Sequence, residues 1–195
     1  MSVFFVKSFM NKIFEKLNYL FRKKEKQPAK IKVCWDFLAL IMNRFYLTDD
    51  EITEFMEIDD HNPDILLEII REYLVPDYHC LSSKSKEKIK NTLTYYLATD
   101  SEKLEWPFAS YYIPLDDAIA KLFYTLVWRE LYGTDFPEPI NPDDYEEDCS
   151  SEYIMSIYDA DPEEDINSPC PVRKEISFTD FMKRLKQIQT WKTNS

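Results

Sequence analysis

Apolar residues recur at helical spacing along most of this chain. Val6, Met10, Ile13, Leu17 and Leu20 are separated by four, three, four and three positions, which puts them on one helical face. Phe9, Phe14 and Phe21 widen that stripe, while Lys7, Lys12, Lys16, Arg22 and Lys23 lie mostly off it. The pattern predicts a basic amphipathic helix that closes before Gln27-Pro28. Residues 31–46, IKVCWDFLALIMNRFY, are apolar nearly all round, as a helix buried in a core would be. Thr48 and Glu51 have capping-box spacing and open a short acidic helix that carries Ile52, Phe55 and Met56.

Asn62-Pro63 places an N-cap before a first-turn proline. The helix it starts carries Ile65, Leu66, Ile69, Ile70, Tyr73 and Leu74, and Pro76 is expected to stop it. Ser83 caps a further helix through Thr99, with Ile89, Leu93, Tyr96 and Leu97 inward. Its early lysines (Lys84, Lys86, Lys88, Lys90) oppose the helix dipole, so they call for an acidic surface nearby. Residues 105–114, EWPFASYYIP, read as an extended linker broken by prolines. Residues 115–133 form the clearest helix, capped by Asp116 or Asp117. Its inward positions are Ile119, Leu122, Phe123, Leu126, Val127 and Leu131, and Gly133 ends it. Six prolines interrupt residues 134–175, where only SSEYIMSIY suggests a helical turn or short strand. ISFTDFMKRLKQIQTWK is a basic C-terminal helix, capped by Thr179, with Phe181, Leu185 and Ile188 as its stripe.

The fold class is therefore all-α, a small bundle of about six or seven helices with an irregular acidic loop before the C-terminal helix. Four stretches organise it: the N-terminal helix (1–27), a helical core (31–133), the acidic loop (134–175) and a C-terminal helix packing on the core (176–195).

Composition narrows the function. With Gly133 the only glycine, the chain cannot hold a P-loop, a dinucleotide-binding fingerprint or a nucleophile elbow. Net charge is −12 and unevenly spread. Residues 1–33 carry nine Lys and Arg against two Glu, whereas residues 134–175 carry two against fourteen Asp and Glu. Such a chain is not expected to bind nucleic acid directly. The four cysteines (Cys34, Cys80, Cys149, Cys170) form no CxxC pair and are expected to be reduced thiols in a cytoplasmic protein.

Candidate chemistry is thin. Asp143-Asp144 and Asp159-Ala-Asp161 offer oxygen ligands, but a calcium loop needs a central glycine that is missing. Asp77-Tyr-His-Cys80 with His61 falls short of a zinc set. A Cys80/His61 pair and the carboxylate pairs Glu68/Glu72 and Glu51/Glu54 lack anything that would orient a catalytic centre. No metal, cofactor or enzymatic activity is expected.

The acidic loop invites a different reading. In NPDDYEEDCSSEYIMSIYDADPEED, tyrosines and apolar residues alternate with carboxylates. Carboxylates steer a basic partner, and Tyr and Met anchor interface cores. The partner-binding residues expected are Asp143, Asp144, Tyr145, Glu146, Glu147, Asp148, Tyr153, Tyr158, Asp159 and Asp161. They describe a non-enzymatic protein that occludes a basic protein: an inhibitor, an immunity-type antidote to a nuclease toxin, or a nucleic-acid mimic. The alternative is a peripheral adaptor docked on an anionic membrane, or on a partner helix, through Val6, Met10, Ile13, Leu17 and Leu20.

Overall fold

Ile31 and Val33 are β-branched, and they form a strand where the apolar pattern predicts a helix. The strand, β1 (Ile31–Val33), points Val33 into the core and leaves Ile31 and Lys32 outside. The buried helix begins only at α1 (Asp36–Leu40), which hides Phe37, Leu38 and Ala39. The computed structural model describes residues 29–41, 47–110, 114–133, 139–158 and 176–193. Those from Ile31 onward belong to one compact unit. The stripe Val6, Met10, Ile13, Leu17 and Leu20 lies outside the described residues.

Helix α2 (Asp49–Phe55) opens with the expected capping box. The Thr48 hydroxyl accepts from the Glu51 N–H, and Glu51 Oε2 accepts from the Thr48 N–H at 2.8 Å. Asn62 caps α3 (Pro63–Ile69) by accepting from the Asp64 N–H at 3.1 Å. Pro76 does not stop this helix. The ladder widens into a π turn over Ile70–Leu74, in which the Val75 N–H reaches the Ile70 carbonyl. Pro76 then falls in the first turn of α4 (Val75–His79), the part of a helix that tolerates proline best.

The cap of α5 (Ser83–Ala98) is Ser82, one residue before the expected Ser83. The segment expected to be a linker contains the helical turn α6 (Trp106–Ser110). Burial of Leu104 and Phe108 holds it against the core. Phe108 stacks on Tyr124 at 5.8 Å and meets the edge of Phe123.

Asp116 caps a 3-10 turn (Asp117–Ile119), accepting from the Ala118 N–H at 2.9 Å. The turn leads into α7 (Ala120–Tyr132). Gly133 closes α7 in the left-handed region at φ 66°, a conformation that costs most residues steric strain. Leu122, expected inward, is 38% exposed.

Helix α9 (Phe178–Thr193) buries Phe181, Met182 and Leu185. Its cap is Ser177, not Thr179, since the Ser177 hydroxyl accepts from the Asp180 N–H. Its basic face meets acidic helices: Arg184 pairs with Glu68 of α3, and Lys186 with Glu54 and Glu57 at the end of α2. A two-nitrogen pairing of Arg71 with Glu130, at 2.8 and 2.9 Å, ties the π turn to α7. The chain is thus mostly helical, a small bundle with a two-stranded sheet as its β component among the described residues.

The expectation of reduced thiols fails. Cys34 is bonded to Cys149 across 115 residues, and Cys80 is disulfide-bonded too. Strand pairing is what brings positions 34 and 149 together.

Candidate functional site

The acidic stretch is a strap over the body along its described part, residues 139–158. A 3-10 turn (Pro142–Asp144) leads into β2 (Tyr145–Glu147), which runs parallel to β1 with Ile31 opposite Tyr145 and Val33 opposite Glu147. The ladder extends one step further, where the Asp148 N–H donates to the Val33 carbonyl at 3.0 Å. The Cys34–Cys149 disulfide follows immediately. Ser150 then caps α8 (Ser151–Met155), and a final 3-10 turn (Ser156–Tyr158) buries Ile157. The Ser85 hydroxyl donates to the Ile157 carbonyl, and Lys88 Nζ donates to the Ser156 carbonyl at 2.7 Å. Five separate attachments therefore hold the strap: a ladder, a covalent bond, a buried aliphatic side chain and two hydrogen bonds from α5.

Two of its tyrosines, Tyr145 and Tyr153, face the body. Tyr153 packs on Phe37 with ring centroids 5.1 Å apart, and its hydroxyl donates to the Lys32 carbonyl. Lys32 and Lys88 approach the same ring at 5.7 and 5.6 Å. Burial pushes the Tyr153 hydroxyl pKa up to about 12. Tyr145 lies against Tyr95 at 5.4 Å. Tyr145 and Tyr153, expected to anchor a partner, are thus packed within the molecule. Two further α5 lysines are likewise answered by a carbonyl or a tyrosine ring: Lys86 by the His79 carbonyl and Tyr78, Lys90 by Tyr132.

The carboxylates divide into two sets. Glu147 pairs with Lys103, and Asp148 with Lys32 at 2.6 Å. The bond from Lys32, with help from Ser150, lowers the Asp148 pKa to about 2. Asp143, Asp144, Glu146 and Glu152 are exposed on the outer side. Met155 beside them is 61% exposed. Tyr158 ends the last turn, its side chain outside the described set, and Asp159 and Asp161 also lie outside the described residues.

A second surface combines acid with exposed apolar area, and the sequence reading passed over it. The end of α2 and the segment Pro114–Asp116 enclose an open groove of about 560 Å³. Ile52, Phe55, Ile58 and Leu115 form its floor, and Met56, 74% exposed, forms one wall. Asp60 and Asp116 stand at its edge. Asp60 Oδ2 accepts from the Asp116 N–H at 2.7 Å, and Asp116 Oδ2 lies 3.1 Å from His61 Nε2. The Ala118 N–H and His61 hold the Asp116 carboxyl below its usual range, so it is a carboxylate at neutral pH. A sequence signal existed: Ile52 lies in a helix rich in carboxylates, and Met56, four residues on, is its C-cap.

Among the described residues, no group of three or more His, Cys, Asp or Glu is placed to hold a metal ion. No helix there is long and apolar enough to cross a membrane. Comparison with family models, with curated proteins and with solved structures finds no match to this chain.

Proposed function

We propose that the protein is a non-enzymatic acidic binding protein that occludes a basic protein partner through the outer side of its strap. The supporting observation is the fixation of that strap: ladder, disulfide and buried Ile157 hold Asp143, Asp144, Glu146 and Glu152 outward on a fixed backbone. Carboxylates arranged in advance accelerate encounter with a cationic surface and lose little conformational freedom on contact. Inhibitor, antidote and nucleic-acid mimic all fit this physics. The disulfides favour an oxidising compartment over the cytoplasm.

The test begins with capture. The tagged full chain is incubated with extract at low salt and eluted along a salt gradient, and association rates are then measured with the recovered protein. Replacing Asp143, Asp144 and Glu146 by lysine is expected to slow association about tenfold at low salt and to flatten its salt dependence. An unchanged rate and salt slope would sink the reading.

A further inference from the structure

Strap and groove hold complementary halves of an interface. The strap offers charge with its aromatic anchors turned inward. The groove offers an apolar floor open to solvent, with carboxylates at one edge. A site of this kind is matched by a segment that carries a bulky apolar side chain and a cation close to it. Charge complementarity also disfavours other occupants. An anionic lipid surface would meet Asp60 and Asp116, as well as the acidic first turn of α2 at Asp49, Asp50 and Glu51. A plain apolar ligand would use the floor alone and gain nothing from the carboxylates at its edge.

We infer that the groove walled by Met56 and edged by Asp60 and Asp116 is a docking site for an amphipathic cationic peptide segment of a partner protein. The inference rests on the reading of the chain as a binder of basic proteins and adds a second contact to it. The apolar side chain of the segment lies over Phe55, Ile58 and Leu115 against Met56. Its ammonium or guanidinium reaches the Asp60–Asp116 edge. Phe55, Ile58 and Leu115 are already packed in the core, so the floor is rigid. Met56 is the adaptable part, since a thioether on an unbranched stem reshapes itself to different partners. A fixed floor with one pliable wall suits helix-in-groove recognition, in which a few anchor positions carry the affinity.

The probe is a short fluorescent peptide built from Leu, Phe, Lys and Arg at helical spacing, titrated into the full chain. Two substitutions separate the halves of the site. Met56→Ala shortens an exposed side chain and leaves the fold intact. Asp116→Asn keeps a capping oxygen for the Ala118 N–H while removing the charge. Met56→Ala is expected to weaken binding by roughly fivefold or more, at an unaltered salt slope. Asp116→Asn is expected to weaken it by about two- to fivefold, with a shallower salt slope.

Equal affinity for wild type and Met56→Asp would overturn the inference, and so would equal affinity for a peptide whose Lys and Arg are replaced by glutamine. A third outcome also overturns it: self-association of the chain alone that Met56→Asp abolishes, because a second copy would then cover the groove. The lysine replacements at Asp143, Asp144 and Glu146 serve as the independent control. They are expected to leave peptide affinity within about twofold at physiological salt, since none of the three lines the groove and exposed charges are screened there. Failure of the strap reading and failure of the groove reading therefore show in different variants.

Discussion

The strap and the groove are both acidic, yet they use apolar side chains in opposite ways. In the strap, Tyr145, Tyr153 and Ile157 turn toward α5 and α1, and Met155 is the large apolar side chain that stays exposed. In the groove, Met56 stays in water beside a carboxylate pair. Composition alone points to the strap, because tyrosines among acids look like an interface. What separates them is whether the body already supplies a partner for the ring. Tyr153 finds Phe37, Lys32 and Lys88, while Met56 sits at the end of a seven-residue helix with open space beyond it.

The comparison would break most readily at the disulfide. Replacing Cys34 and Cys149 by alanine frees the strap from a long closed loop, and stability should fall by about 2–4 kcal/mol. Hydrogen exchange should then speed up over 145–157 and stay unchanged over 49–58. Equal loosening of both regions would mean that strap and groove belong to one cooperative unit.

A buried and an exposed apolar residue give the next test. Ile157→Ala should cost about 2–4 kcal/mol in denaturant unfolding, as deletions of buried aliphatic atoms do. Met56→Ala should stay within about 0.5 kcal/mol, as exposed substitutions do. Similar values for the two would erase the distinction between an anchor used internally and one left available.

The smallest effect is expected from pH. Asp148 titrates near 2 in the folded chain, below the unfolded value of about 3.9. Its contribution is complete above pH 4 and declines as pH falls from there toward 2. Tyr153 has the opposite sign: its raised pKa makes its contribution complete below pH 10 and loses it as pH climbs toward 12. Strap protection measured across pH should therefore weaken at both extremes. A profile flat down to pH 2 would show that the Lys32–Asp148 pair does not help hold the strap.

Local rules made much of the helical frame legible. The capping box at Thr48 and Glu51, the Asn62 cap, the Asp116 cap and the left-handed Gly133 each depend on neighbouring residues alone, and all are present. Errors arose where a distant segment overrode the local preference. Ile31–Val33 is a strand because Tyr145–Glu147 pairs with it, and no window around residue 31 contains that partner. The helix continues through Pro76 because a π turn shifts the hydrogen-bond register one residue earlier. Of the candidate site, the carboxylates were legible and the inward turn of the tyrosines was not, since side-chain direction in the strap is set by the ladder register. The groove escaped notice because its walls lie some sixty residues apart in sequence, at Met56 and Asp116.

The parallel pairing of β1 with β2 also has a consequence for synthesis. Val33 leaves the ribosome with its ladder partners still unmade, and more than a hundred residues must follow before Glu147 can reach it. At ordinary elongation rates that wait is on the order of ten seconds. During it, the helices from α1 to α7 can assemble, while β1 exposes an open edge that no later part of the chain has yet covered.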